Sequence, residues 1–133
     1  MHPTETLIRR YYECFNNQDV EGMLDLLCND VMHEISQGGI ELGRATFRQF
    51  LLHMNNCYEE AVRDLVVMLG PTAERAAAEF MLDGTYKNTD GNFPQATGQR
   101  YTLRVGAFFE LREGKIARVS NHYNLQDWLH QVG

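Results

Sequence analysis

The stretch YTLRVGAFFELREGKIARVSNHYNL, residues 101–125, holds two runs of alternating side chains on either side of a short charged segment. The segment Arg112-Glu113-Gly114-Lys115 has the composition of a tight turn, and each flanking run is long enough to form a strand. We therefore predict a hairpin with strands at 100–111 and 116–125.

Further elements precede this hairpin. Strands are predicted at 31–35, 62–69 and 74–86, the last two separated by the turn Gly70-Pro71-Thr72. Apolar residues at spacings of three and four predict three helices, one after Pro3-Thr4, one after Asp19 and one at 44–56.

Helices first and hairpin-connected strands second is the order of an α+β fold. Long strands twist, so a sheet of this kind curls. We predict three helices packed on a strongly curved, mainly antiparallel sheet, a cone-shaped fold with an interior pocket.

Composition narrows the function classes. The chain has 133 residues, a net charge of −6 and no cluster of Lys and Arg, so we expect one domain over 1–133, no nucleic acid and no membrane as partners. The odd number of cysteines, with no C-x-x-C pair, favours reduced thiols, and the start MHPTETLIRR lacks a secretory signal. These features favour a cytoplasmic protein.

Polar residues on the last predicted strand are unusual for a buried position. Alternation places Asn121 and Tyr123 on one face and His122 and Asn124 on the other. A buried polar group without a partner costs about 1–3 kcal/mol, so these side chains need partners. In one interpretation some of them meet a bound ligand. In the other they cap the C-terminal tail or face a dimer partner.

His33, in VMHEI, is the leading acid–base candidate. It shares a face with Val31 and Ile35, which we expect to point towards the helices, and histidine titrates near neutrality. The alternative is a satisfied core histidine. No His-x-His or His-x-x-x-His spacing occurs, so we expect no metal and no cofactor.

The pocket walls are predicted from strand alternation. Arg104 lies mid-strand, where it would bind a carboxylate or enolate oxygen if it points inward and would be ordinary solvated surface if it points outward. The apolar walls are expected from four aromatic residues: Phe80, Tyr86, Phe108 and Tyr123.

The stretches RRYYECFNNQDVEGMLDLLCNDV (9–31) and FFELREGKIARV (108–119), with this order of elements, resemble the nuclear transport factor two-like superfamily. Within it the chain resembles SnoaL-like and ketosteroid-isomerase-related proteins. The resemblance implies one such domain over 1–133, and an oxyanion-hole tyrosine at Tyr11. The carboxylate positions of these relatives fall at Ile35, Gly106 and Asn124.

Two function classes follow. In the first, the chain binds a small apolar carbonyl compound and isomerises or cyclises it, with Tyr11, His33 and Asn121 as catalytic residues. Arg104 and Asn124 then join the four aromatic residues as ligand-binding residues. In the second, the chain is a non-catalytic ligand-binding or dimeric accessory protein, which the missing carboxylates favour. In both classes we expect a homodimer that forms through the outer face of the sheet. A third possibility is a homodimer of this kind whose subunits have no usable cavity.

Overall fold

A computed structural model describes all residues, 1–133, as four helices and six strands. The elements in chain order are α1 (Pro3–Asn16), α2 (Val20–Leu24), β1 (Leu27–Glu34), β2 (Ile40–Leu42), α3 (Arg44–Cys57), β3 (Tyr58–Leu69), β4 (Arg75–Tyr86), β5 (Arg100–Arg112), β6 (Lys115–Tyr123) and α4 (Leu125–Val132).

The six strands form one curled, unclosed sheet in the order β2-β1-β6-β5-β4-β3. Only β1 and β6 run parallel, and the other neighbouring pairs are antiparallel. The predicted α+β class and mainly antiparallel sheet are therefore confirmed. None of the four helices is long and apolar enough to cross a bilayer.

Helix α1 packs its apolar stripe into the core and is tied to the sheet at its C-terminal end. Ile8, Tyr11 and Tyr12 are buried, as their spacing predicts. The Asn16 side chain donates to Val62 O at 3.0 Å and accepts from Val62 N at 2.7 Å. This amide thereby occupies part of the free edge of β3.

The boundary between α3 and β3 differs from the sequence prediction. Strand β3 begins at Tyr58, directly after the helix, whereas the sequence predicted a strand from residue 62. Alternation along the earlier start turns Tyr58, Glu60 and Val62 to the inner face. This carries a carboxylate into the interior that the shorter predicted strand left out.

Helix α4 was not predicted. Asn124, which the sequence placed in a strand and in the ligand site, is the N-cap of this helix and accepts from the Asp127 amide at 3.1 Å. Strand β6 ends at Tyr123, opposite Val105, so the edge of β5 beyond that point needs another partner. The Gln131 amide supplies it, with hydrogen bonds of 2.9 Å to both backbone groups of Thr102.

Candidate functional site

An interior cavity of about 390 Å³ lies between the curled sheet and the helices. Of its 27 lining residues, 18 are hydrophobic, so the few polar groups on its wall stand out. A mainly apolar cavity with a small number of placed polar groups is the usual form of a small-molecule site.

Glu60 is one of two carboxylates on this wall that the sequence analysis missed. Its Oε2 accepts a hydrogen bond of 2.5 Å from the Tyr101 hydroxyl, and its Oε1 has no partner in the protein. Burial raises the pKa of Glu60, and the hydrogen bond from Tyr101 opposes that shift. The group is therefore harder to ionise than an exposed glutamate.

Gly84 makes this contact possible. The strand register pairs Glu60 with Gly84 on β4, and Gly84 with Tyr101 on β5. A Cβ on Gly84 would lie 2.3 Å from Cζ of Tyr101, a distance that real Cβ atoms do not show. Because glycine has no side chain, the Tyr101 ring crosses the middle strand and reaches Glu60.

His33 lies inside the cavity wall, and only 2% of its surface is exposed. Its ring packs between Phe47 and Phe50, with centroid distances of 4.7 and 4.5 Å, and its Nδ1 has no hydrogen-bond partner. Burial lowers the pKa of His33 to about 4. The imidazole is therefore neutral at neutral pH.

Two adjacent tyrosines of α1 also line the cavity. Their rings meet edge to face at 5.2 Å, and burial raises the pKa of both phenols. The Tyr12 hydroxyl is fully enclosed and has no hydrogen-bond partner, whereas the Tyr11 hydroxyl is not fully enclosed. Of the two hydroxyls, that of Tyr11 is the better placed to meet a bound molecule.

Strand β6 contributes Asn121 and Tyr123 to the same wall, on the face that alternation predicted for them. The structure thus brings five sequence-predicted site residues to one cavity: Tyr11, His33, Phe80, Asn121 and Tyr123. Their catalytic and binding roles stay predictions.

Two residues predicted in the pocket lie on the outer face of the sheet instead. The Arg104 side chain is 68% exposed and approaches Glu79 at 3.7 Å, and Phe108 is 50% exposed and packs on His122 at 5.5 Å. Their placement in the pocket was wrong because the inner residues of β5 are the odd-numbered ones, from Tyr101 to Phe109.

Tyr86 is on the inner side but does not reach the cavity. It is fully buried, stacks on Tyr58 at 5.4 Å and meets Trp128 of α4 at 5.2 Å. Its hydroxyl donates to Pro94 O. Tyr86 therefore supports the cavity wall from behind, and Trp128, which the sequence did not assign to the site, lines the cavity.

The carboxylate positions implied by the resemblance are not equivalent in space. Ile35 borders the cavity, Gly106 lies on the outer side of β5, and Asn124 caps α4. Glu60 and Asp90 are the carboxylates that line the cavity. They were missed because one lay before the predicted start of its strand and the other in a polar loop.

Asp90 is the centre of a second polar group at the cavity. Its Oδ2 accepts from the Tyr58 hydroxyl at 2.6 Å, and its Oδ1 lies 2.8 Å from Nε2 of His53. The thiol of Cys57 lies 3.9 Å from the same His53 nitrogen. The donor atoms of His53, Cys57 and Asp90 lie close enough together to hold a metal ion.

The curled sheet, the covering helices and the apolar interior cavity define a member of the nuclear transport factor two-like superfamily. More narrowly, residues 8–119 match the SnoaL-like domain, and the chain belongs to that family. This confirms the family that the sequence resembles. No curated protein matches the chain.

Solved structures give the same assignment. A candidate polyketide cyclase from Pseudomonas putida KT2440 is 48% identical, with 100% of this chain and 99% of that chain covered and a TM-score of 0.96. Another, from Xanthomonas campestris pv. campestris, is 46% identical over 98% and 97%, with a TM-score of 0.95. A nuclear transport factor two-like protein from Burkholderia pseudomallei K96243 is 19% identical over 99% and 98%, with a TM-score of 0.79, and shares the fold.

Proposed function

We propose that this protein binds a small, mainly apolar carbonyl compound in the interior cavity and transfers a proton on it, with Glu60 as the acid–base group. The observation that carries the proposal is a carboxylate with one free oxygen on the wall of an apolar cavity. A carboxyl group with a raised pKa takes up and returns protons more readily near neutral pH than an exposed one.

The chemistry requires one group that moves a proton and others that hold the carbonyl. Ionised Glu60 takes a proton from the carbon next to the carbonyl, and the electrons of that C–H bond form an enolate. If Glu60 returns the proton to another carbon of the enolate, the compound is isomerised. If the enolate carbon attacks a second carbonyl of the same molecule, a ring closes and the new alkoxide takes the proton.

Hydrogen-bond donors on the wall would stabilise the enolate oxygen. Tyr11 on α1 and Asn121 on β6 line the same cavity as Glu60 and carry donor groups. Neutral His33 serves here as a hydrogen-bonding group. A base with a pKa of about 4 accepts protons poorly at neutral pH, so the proton-shuttle role passes from His33 to Glu60.

The comparisons support a reaction of this class. The structures that are 46% and 48% identical belong to proteins named as candidate polyketide cyclases, and ring closure through an enolate is the chemistry proposed above. A non-catalytic ligand-binding protein is the alternative, and the same experiment separates the two.

The test follows exchange of the α-protons of 2-tetralone, an apolar bicyclic ketone, for deuterium in heavy water by proton NMR. We expect the wild-type protein to accelerate exchange, and the Glu60→Gln variant to lose about 10²–10⁴-fold of that acceleration. Glu59→Gln is the matched control, because Glu59 is the exposed neighbour on the same strand. The proposal would be overturned if the wild type bound 2-tetralone without accelerating deuterium exchange. Equal exchange rates with Glu60→Gln and Glu59→Gln would also overturn it.

A further inference from the structure

A second chemical site lies where the end of α3 meets the loop between β4 and β5. His53 and Cys57 are four residues apart on α3 and so share one face of the helix. Asp90 comes from the loop, and the three donor atoms, one nitrogen, one sulfur and one oxygen, lie within 4.8 Å of one another. The proton-transfer proposal makes no use of them.

The arrangement does not suit a nucleophilic thiol. In a thiol–imidazole–carboxylate relay the thiol and the carboxylate contact different ring nitrogens of the histidine. Here Nε2 of His53 faces both partners, Asp90 Oδ1 at 2.8 Å and Cys57 Sγ at 3.9 Å. Three donors therefore converge on one point, as they do around a metal ion.

We propose that His53, Cys57 and Asp90 bind a divalent transition-metal ion, and that Zn²⁺ fits their donors best. Zinc takes thiolate, imidazole and carboxylate ligands at about 2.0–2.3 Å in tetrahedral geometry, which sets donor separations of roughly 3.4–3.6 Å. In the structure Nε2 of His53 lies 2.8 Å from Asp90 Oδ1 and 3.9 Å from Cys57 Sγ. Binding the ion would therefore move the exposed His53 ring away from the carboxylate and towards the sulfur.

The charges of the site also balance. A Cys57 thiolate and an Asp90 carboxylate neutralise the two positive charges of the ion, and His53 binds as the neutral ring. The Cys57 thiol proton leaves to solvent as the sulfur–metal bond forms. Lys87 approaches this region, but its Nζ donates to Asn55 O at 2.8 Å, at the end of α3.

The two segments that supply the donors are held together before any ion binds. The amides of Lys87 and Asn88 donate to Cys57 O at 2.8 and 3.2 Å, which fixes the start of the loop to the end of the helix. The Tyr58 hydroxyl holds Asp90 Oδ2 at 2.6 Å and leaves Oδ1 for the ion. A group that orients a ligand in this way raises metal affinity.

Three protein ligands leave one tetrahedral position open. His53 and Asp90 both line the interior cavity, so this position lies beside the space where a ligand would bind. The sequence did not reveal the site, because its donors are a histidine, a cysteine and a distant aspartate, and not a repeated His or Cys pair.

The test is metal binding by the purified full chain after chelator treatment. Zn²⁺ is measured by competition with a chromophoric chelator, and Co²⁺ by its thiolate charge-transfer absorption in the near ultraviolet. We expect one ion per chain with the thiolate band. Cys57→Ser should abolish the band and weaken Zn²⁺ binding about 100-fold or more, and Tyr58→Phe should weaken it about 10-fold.

Matched variants keep the result interpretable. Cys28→Ser removes another buried cysteine, and His130→Gln removes another helical histidine, so both should bind as the wild type does. His53→Gln changes an exposed side chain and should lose the ion even if Cys57→Ser folds poorly. No stoichiometric binding by the wild type, or equal binding by His53→Gln, would overturn the proposal whatever the outcome with 2-tetralone.

Discussion

The Tyr101 hydroxyl lies 2.5 Å from Oε2 of Glu60, although the two residues belong to strands separated by β4. The contact passes over Gly84, where any side chain would meet the tyrosine ring. One glycine thus determines whether the carboxylate on the cavity wall has a hydrogen-bond partner.

Gly84→Ala should destabilise the protein and break this contact. The added Cβ would lie 2.3 Å from the Tyr101 ring, and crowding of this kind in a packed interior costs about 1–3 kcal/mol. The free energy of unfolding in urea measures the effect. Gly106→Ala is the matched control, since a Cβ there meets nothing within 4 Å and we expect a change of about 0.5 kcal/mol or less. Equal effects at both positions would contradict this account.

Glu60→Gln should stabilise the protein at neutral pH. The pKa of Glu60 is raised above its ordinary value of 4.5, so the folded protein holds the proton more tightly than the unfolded chain does. Stability is therefore lost as the pH rises from 4.5 through the raised pKa, and a glutamine does not share that loss.

Thermal unfolding across this pH range gives the comparison for Glu60. The melting temperature of Glu60→Gln should exceed that of the wild type at pH 7, and the difference should shrink towards pH 4. Glu59→Gln, on the exposed face, should follow the wild type throughout. A Glu60→Gln variant that is less stable at pH 7 would count against a raised pKa.

The adjacent tyrosines of α1 offer a paired test of the carbonyl site. Tyr11→Phe should slow deuterium exchange of 2-tetralone about 10²–10³-fold if its hydroxyl donates to the carbonyl oxygen. Tyr12→Phe removes a buried hydroxyl without a partner, so the exchange rate should be unchanged and stability should rise by about 1 kcal/mol. Identical exchange rates in the two variants would remove Tyr11 from the site.

His33 should make the fold sensitive to mild acid. Its pKa falls from 6.5 to about 4 on folding, so the unfolded chain binds a proton first and stability is lost as the pH falls from 6.5 to 4. The difference corresponds to about 3 kcal/mol. His33→Leu should gain that much relative to the wild type between pH 7 and pH 4, as measured by urea unfolding. His130→Gln, an exposed change, should show no such gain.

The fold could be predicted in some detail because periodicity records which face of each element is buried. The apolar stripe of α1 and the alternation of β4 and β5 gave the right elements within a residue or two. Errors came where local pattern and tertiary contacts disagree. The polar pair Glu59-Glu60 lies outside every predicted element, yet it belongs to β3 because β4 pairs with it.

The site was harder to predict for the same reason. Alternation correctly divided β5 into two sets of residues but did not show which set faces inward, and this misplaced Arg104 and Phe108. Asn124 was misread because the strand gives way to α4, whose place depends on the bonds between Gln131 and Thr102. Contacts between distant segments leave no local signal.

The proton-transfer proposal depends on how easily Glu60 ionises, and carbon-13 NMR of the glutamate side-chain carboxyl groups measures this. Glu60→Gln assigns the signal by removing it. We predict that the Glu60 signal titrates with a midpoint above pH 4.5. In the control variant Glu59→Gln the midpoint should be the same within experimental error. A midpoint at or below 4.5 would mean that Glu60 ionises as easily as an exposed glutamate, and this would contradict its role as the acid–base group.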